Sequence, residues 1–139
     1  MKVKEIMSPH VQVTYPGCTL LEAADRMKVL DIGALPVCDG DRVVGMVTDR
    51  DITVRAIAEG WDPWTTLVRE IMTPDAVCCY DYQDVTEAAR LMKDRQIRRV
   101  MVLDRRQRLV GMVSLGDLAV GTADDALAGR TLEEVSESA

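Results

Sequence analysis

Two short stretches carry residue types that could hold a ligand. Gly45-Met46-Val47-Thr48-Asp49-Arg50-Asp51 passes from an apolar run to a hydroxyl and, three residues later, a carboxylate. Gly111-Met112-Val113-Ser114-Leu115-Gly116-Asp117 repeats the spacing. The apolar approach (Val43, Val44, Met46, Val47) predicts a strand, and Thr48 and Ser114 fall where the N-cap of a following helix would sit. A helix N-terminus presents unpaired N–H groups and a partial positive charge. A hydroxyl placed there can donate to a phosphate oxygen. An ionised Asp in the first turn only accepts, so it can take both hydroxyls of a ribose and select a ribonucleotide over its deoxy analogue. The same pattern also describes an ordinary helix cap, and one copy alone would not separate the two. Two copies, each with a glycine three residues ahead of the hydroxyl, point to a phosphate–ribose unit.

Little else among the 139 residues could do chemistry. The single His, His10, follows Pro9 and is expected on a surface turn. Asp49 and Asp51 flank Arg50, but on a helix they point in different directions. No nucleophile–base–acid pattern and no Lys-bearing glycine-rich phosphate loop occur, so the chain is not expected to be an enzyme or to hydrolyse a bound nucleotide. Cys18, Cys38, Cys78 and Cys79 form no paired CxxC motif. No zinc site is expected, and the four read as reduced, buried structural thiols. Adjacent Cys78 and Cys79 in a strand would face opposite ways. A formal charge of −6 argues against a nucleic-acid or anionic-membrane binder, whose affinity rests on Lys and Arg. No run approaches the roughly 18 apolar residues of a membrane span. With no secretory signal, the cytoplasm is the expected compartment.

The elements that would position the two junctions follow from an internal repeat. Val3-Lys4-Glu5-Ile6-Met7-Ser8-Pro9 matches Val68-Arg69-Glu70-Ile71-Met72-Thr73-Pro74 at an offset of 72 minus 7, or 65. From the junctions onward the offset is 111 minus 45, or 66. The extra residue falls between two turn-like segments after Asp39 and Asp104, where a surface loop tolerates an insertion. Each repeat predicts a lead-in ending at Pro, a strand (near Val11 to Thr14 and Val77 to Tyr80), a capped helix, a hairpin and a last helix. Thr19 with Glu22, and Asp84 with Glu87, read as capping boxes. The hairpin of repeat 1 is placed at Ile32 to Cys38 and Arg42 to Val47. Its last helix runs from about Asp49 to Glu59, stopped by Gly60. The second copy, with Gly116 and Gly121, should be shorter. Thr65 or Thr66 would cap a helix through Val68 and Ile71, Trp61 and Trp64 would anchor the linker by packing, and Thr131 would cap a short terminal helix. The boundaries are 1–60 for repeat 1, 61–67 for a linker, 68–121 for repeat 2 and 122–139 for an acidic tail, loose from Ser136. Each half is marginal as an independent core. The fold class is α/β of the α+β type, two β-α-β-β-α units packed with pseudo-twofold symmetry around a cleft.

The Met-x-Pro openings, Ile32-Gly33-Ala34-Leu35-Pro36-Val37 and the two Gly-x-x-Thr/Ser-x-x-Asp junctions resemble a tandem pair of CBS domains, the cystathionine β-synthase motif module. The resemblance runs from Val3 to about Val120, and small stand-alone bacterial CBS-pair proteins are the most similar. It implies a disc-like homodimer and an adenine nucleotide in the cleft, with ribose on the Asp of one repeat and adenine enclosed by strands of the other. Carried over by position, Ser114 and Asp117 would work with Thr14, Gly33, Ala34, Leu35 and Pro36. The pseudo-symmetric site would use Thr48 and Asp51 with Cys79, Arg98, Arg99, Val100 and Met101. Met101 stands where the family usually has Pro. Arg98 and Arg99 match a place where related modules, such as the regulatory subunit of AMP-activated protein kinase, carry phosphate-contacting residues. They read either that way or as a solvated strand edge near Asp94 and Asp104, and Arg50 is open in the same sense.

Two functions therefore compete. One is a regulatory module that senses an adenosine-containing molecule: AMP, ADP or ATP first, NAD or S-adenosylmethionine next. The other is a ligand-independent dimerisation scaffold that keeps the junctions only as caps. Neither requires a cofactor. A homodimer through the helical faces (Ala23, Ala24, Ala88, Ala89, Ile57) is expected in both, and the sequence names no downstream partner.

Overall fold

The computed structural model describes residues 1–121 and 125–137. In chain order the elements are α1 (Val3–Ile6), α2 (Leu20–Leu30), β1 (Ala34–Asp39), β2 (Arg42–Thr48), α3 (Asp49–Asp51), β3 (Thr73–Pro74), β4 (Cys78–Tyr80), α4 (Val85–Arg95), β5 (Arg99–Leu103), β6 (Leu109–Ser114), α5 (Leu115–Gly121) and α6 (Asp125–Ser136). α3 continues as π-helix over Ile52–Ile57, and a 3-10 turn covers Val68–Glu70. Helices and strands are mixed around two three-stranded sheets, an α+β architecture. No helix among the described residues is long and apolar enough to cross a membrane.

The chain divides into two compact units: Gln12–Ala76, and Met1–Val11 with the chain from Val77 onward. These units are offset from the repeats of the sequence, because each lead-in packs on the sheet of the other repeat. In the 12–76 unit, β1 and β2 form a hairpin, and β3, from the second lead-in, pairs antiparallel with β2 through Gly45–Pro74 and Met46–Thr73. In the other unit β4 runs parallel to β5, β5 and β6 form the hairpin, and Ser8 of the first lead-in bridges to Met112. Val68 and Ile71 accordingly sit in the core with Leu20, Leu35, Val37 and Val47. Val3 sits in the core with Val85, Met92, Val100, Val113 and Leu118.

That exchange explains the repeated glycine. A Cβ on Gly45 would stand 2.8 Å from the Thr73 carbonyl oxygen and 2.9 Å from Met72 Sδ. On Gly111 it would stand 2.5 Å from Met7 Sδ and 3.0 Å from the Ser8 carbonyl oxygen. The Met of each Met-x-Pro opening therefore lies over the glycine of a hairpin strand, and the two motifs are halves of one packing device.

Several local expectations hold and several do not. Thr19 caps α2, its Oγ1 accepting from the Glu22 N–H at 3.1 Å. Gly60 ends the first π-helical run at φ 78°, and the extra residue of repeat 2 lies in the β5–β6 loop. Asp84 caps α4 through the Thr86 N–H rather than through a box with Glu87, which pairs with Arg90. Hydrogen bonds from Thr86 hold the Asp84 carboxyl down at about 2. The first strand of repeat 1 shrinks to one bridge, Thr14 to Val37. Neither Thr65 nor Thr66 caps the 3-10 turn; Leu67 precedes it and donates its N–H to Glu70. Trp61 and Trp64 are 44% and 72% exposed and do not anchor the linker. Thr131 lies inside α6, fully buried, its hydroxyl donating to the Leu127 carbonyl at 2.6 Å instead of capping. A hydroxyl that meets its own helix four residues back leaves no free donor, so it can be buried. Positions 122–124 and 138–139 of the acidic tail lie outside the described residues.

Candidate functional site

Both junctions are reciprocal capping boxes. At the first, the Asp51 N–H donates to Thr48 Oγ1 at 3.1 Å and the Thr48 N–H to Asp51 Oδ2 at 2.9 Å. At the second, the Asp117 N–H donates to Ser114 Oγ at 3.1 Å and the Ser114 N–H to Asp117 Oδ2 at 2.8 Å. The antiparallel hairpin places each junction beside the start of the preceding strand: Ala34 faces Thr48 and Arg99 faces Ser114. The Asp49 N–H donates to the Gly33 carbonyl, and the Leu115 N–H to that of Arg98, both at 2.9 Å.

The capping role uses one oxygen of each aspartate. The second oxygen of Asp51 lies 3.6 Å from Arg55 Nε. The second oxygen of Asp117 has no partner among the described residues. Of the two carboxylates, Asp117 is the one whose second oxygen faces no protein cation among the described residues.

The two junctions also differ in charge. Gly33 is the counterpart of Arg98, and Asp49 the counterpart of Leu115. A Cβ on Gly33 would stand 2.8 Å from Asp49 Oδ2, so the glycine leaves room for that exposed carboxylate. The 12–76 unit thus carries two carboxylates at its junction. The other unit carries two guanidiniums, and among the described residues neither the Arg98 nor the Arg99 side chain makes an ion pair or hydrogen bond. Of the aspartates considered as their neighbours, Asp104 pairs instead with Arg108 Nε at 2.9 Å, and the hydrogen bond from the Arg108 backbone N–H holds its carboxyl below the usual range.

Arg98, Arg99 and Ser114 line one cavity of about 570 Å³, together with Leu115, Gly116 and Ala119 of α5 and Ala128, Gly129 and Leu132 of α6. This lies within the range of small-molecule sites, ~300–1,000 Å³. The contribution of α6 had no signal in the repeat, since repeat 1 has no counterpart to it. A second cavity, about 490 Å³, lies in the 12–76 unit between Thr14, Tyr15 and the Glu22, Asp25 and Arg26 side of α2. Arg26 is held there by the Val13 carbonyl at 3.0 Å.

The remaining candidates are strand residues. Leu35, Cys79 and Val100 belong to apolar clusters, and Thr14, Pro36 and Met101 are buried, so within their own units these offer backbone rather than side chains. Thr14 gives its N–H to the Pro36 carbonyl at 2.9 Å. Arg50 is exposed. Burial pushes the Cys79 thiol up to about 12, with Cys78 adding to the effect, and burial raises Cys38 as well. Since the thiolate is the nucleophile, native protein at pH 8 should take up iodoacetamide at Cys18 and Cys78, both partly exposed, well before Cys38 and Cys79. Peptide mapping of brief labelling checks this; early modification of Cys79 would contradict the burial.

The comparisons agree on one family. The CBS domain model matches residues 3–56 and 68–120. The CBS domain-containing protein YhcV of Bacillus subtilis is 40% identical over 134 residues, covering 96% of this chain and 94% of its own. Hypoxic response protein 1 of Mycobacterium tuberculosis is 38% identical over 117 residues, covering 84% and 81%. The crystal structure of Hypoxic Response Protein I with two coordinated zinc ions superposes at TM-score 0.78 with 38% identity, covering 86% of this chain and 97% of that one. In this chain no group of three or more His, Cys, Asp or Glu side chains is placed to hold a metal, among the described residues. The CBS domain pair of protein MJ0100, in complex with 5'-methylthioadenosine and S-adenosyl-L-methionine, superposes at TM-score 0.74 with 28% identity, covering 86% and 97%.

Proposed function

The chain belongs to the CBS domain family, as a tandem pair, and from that premise we propose that it is a regulatory module whose ligand is an adenosine-containing nucleotide. The observation that carries the reading is the cavity shared by the unpaired Arg98 and Arg99 side chains and Ser114, whose N–H donates to Asp117. Guanidiniums suit phosphate oxygens, and a carboxylate oxygen suits ribose hydroxyls. In this proposal Asp117 accepts from the ribose, and Ser114 holds phosphate with the arginines, which the resemblance assigns to the site of Thr48 and Asp51. Thr48 and Asp51 would form the weaker counterpart in the 12–76 unit. Asp51 is engaged by Arg55, and Asp49 repels a phosphate there. The MJ0100 complex supports adenosine as the shared chemistry. The module does no chemistry on the ligand and acts in the cytoplasm as a homodimer.

One observation favours the scaffold reading: Val29, Val54, Ile57 and Trp64, all in the 12–76 unit, are 73%, 46%, 50% and 72% exposed. Such a surface suits self-association with or without a nucleotide. A thermal-shift panel of AMP, ADP, ATP, NAD and S-adenosylmethionine separates the two, with light scattering on the same samples. Ligand bound only to the native state raises apparent stability by about 2.7 kcal/mol at a hundred times Kd. A dimer with no shift from any member at millimolar concentration would leave the scaffold. A monomer throughout would remove the homodimer.

A further inference from the structure

Among the described residues α6 has no counterpart in the 12–76 unit, and it has two working faces. Leu127, Thr131 and Val135, four residues apart, are on the side packed into the unit: Thr131 and Val135 are buried and Leu127 lies against the core. Lys93 Nζ stands 3.9 Å from Glu134 Oε2, and Gln96 Nε2 donates to the Glu137 carbonyl at 2.9 Å. These contacts dock the C-terminal half of the helix on α4. Ala128, Gly129 and Leu132 form the adjacent face and line the cavity of Arg98 and Arg99.

Gly129 is out of place by helix propensity. A glycine inside a helix costs about 0.5–1 kcal/mol relative to alanine. No close packing requires it, since a Cβ at Gly129 would meet nothing within 4 Å. Its φ is not in the left-handed region. What its missing side chain leaves is space beside two unpaired guanidiniums. In an acidic chain such a pair invites a multivalent anion.

We propose that α6 is the ligand-responsive wall of this cavity: a polyphosphate group held by Arg98 and Arg99 occupies the space beside Gly129, and its binding clamps α6 onto the unit. This rests on the reading that the cavity takes the phosphates of the nucleotide, and it identifies α6 as the element through which occupancy is passed on. An undocked α6 removes a wall of the cavity, so binding and docking are linked. Each favours the other by the same factor.

The test pairs inorganic tripolyphosphate with adenosine and ATP on the full chain, read by calorimetry and by amide hydrogen exchange. If opening of α6 abolishes the site, exchange at the α6 amides slows with occupancy, up to about a hundredfold at a hundred times Kd. Gly129→Leu fills the space and should weaken tripolyphosphate and ATP about tenfold or more, with the melting temperature unchanged or raised. Gly129→Glu, a milder change in volume, should weaken both by charge and spare adenosine. ATP binding to wild type with unaltered α6 exchange, and to both variants as tightly as to wild type, overturns the role of α6 and leaves the adenosine reading standing. Tripolyphosphate that protects α6, with adenosine not binding and ATP no tighter than tripolyphosphate, does the reverse. No binding of any of the three defeats both.

Discussion

Gly45→Ala is expected to lower stability by about 1–3 kcal/mol, the usual cost of forcing an extra carbon into a packed site. The obstacle is backbone: the Thr73 carbonyl oxygen lies 2.8 Å from the new Cβ, where only a shift of β3 away from β2 makes room. That shift strains the Gly45–Pro74 and Met46–Thr73 pairs and loosens Val68 and Ile71, which the same lead-in brings to the core. Reduced entropy of the unfolded chain offsets about 0.4–1 kcal/mol, too little to change the sign. Gly111→Ala meets Met7 Sδ at 2.5 Å before the Ser8 carbonyl at 3.0 Å, so a flexible side chain is the main obstacle. Met7→Ala should therefore restore much of the loss in Gly111→Ala, whereas Met72→Ala should restore little in Gly45→Ala. Urea midpoints of the four variants and two double mutants decide this. Equal rescue in both repeats would mean that the carbonyl at Gly45 is not the obstacle.

Asp117→Ala is expected to weaken an adenosine ligand by about one to two orders of magnitude. Hydrogen bonds to a charged acceptor contribute roughly 1.5–3 kcal/mol each, and 1.4 kcal/mol is tenfold. The same change removes half of the capping box with Ser114, at about 0.5–2 kcal/mol of stability, so alanine confounds the two roles. Asp117→Asn separates them. Its one carbonyl oxygen can accept either the Ser114 N–H or a ribose hydroxyl. If it keeps the cap, an NH₂ donor replaces the spare oxygen. Stability should then stay near wild type while affinity falls. Asp51→Asn should change affinity less, because the second oxygen of Asp51 already has Arg55 Nε 3.6 Å away to compete with a ligand. Calorimetric titration with AMP and ATP, beside a denaturant melt, reads both quantities. Wild-type affinity in Asp117→Asn would remove Asp117 as the ribose acceptor.

The sequence by itself determined what depends on neighbours along the chain. The repeat, the α+β class, the hairpins, the loop carrying the extra residue, the Thr19 cap and the two Thr/Ser–Asp junctions were all legible, because caps and turns close within three or four residues. The family could be read from the same stretches. Tertiary structure alone decided what depends on partners far away in the chain. The lead-ins exchange sheets, so Gly45 and Gly111 answer to Met72 and Met7 rather than to a ligand, and no local pattern announces a contact across such separations. Thr131 reads as a cap by its spacing to Glu134, but burial against the unit draws it into the middle of α6. Trp61 and Trp64 look like packing anchors by type, yet both stay exposed, Trp64 most of all. The sequence already shows that the two junctions differ, with Arg98, Arg99 and Met101 in one repeat where Gly33, Ala34 and Pro36 stand in the other. Folding decides which of these charges stay unpaired: it sets Asp49 beside Gly33 in one unit and leaves the Arg98 and Arg99 side chains without acidic partners in the other. Side-chain charge is written in the sequence, but the field at a site depends on which charges are paired, and pairing is a property of the folded chain.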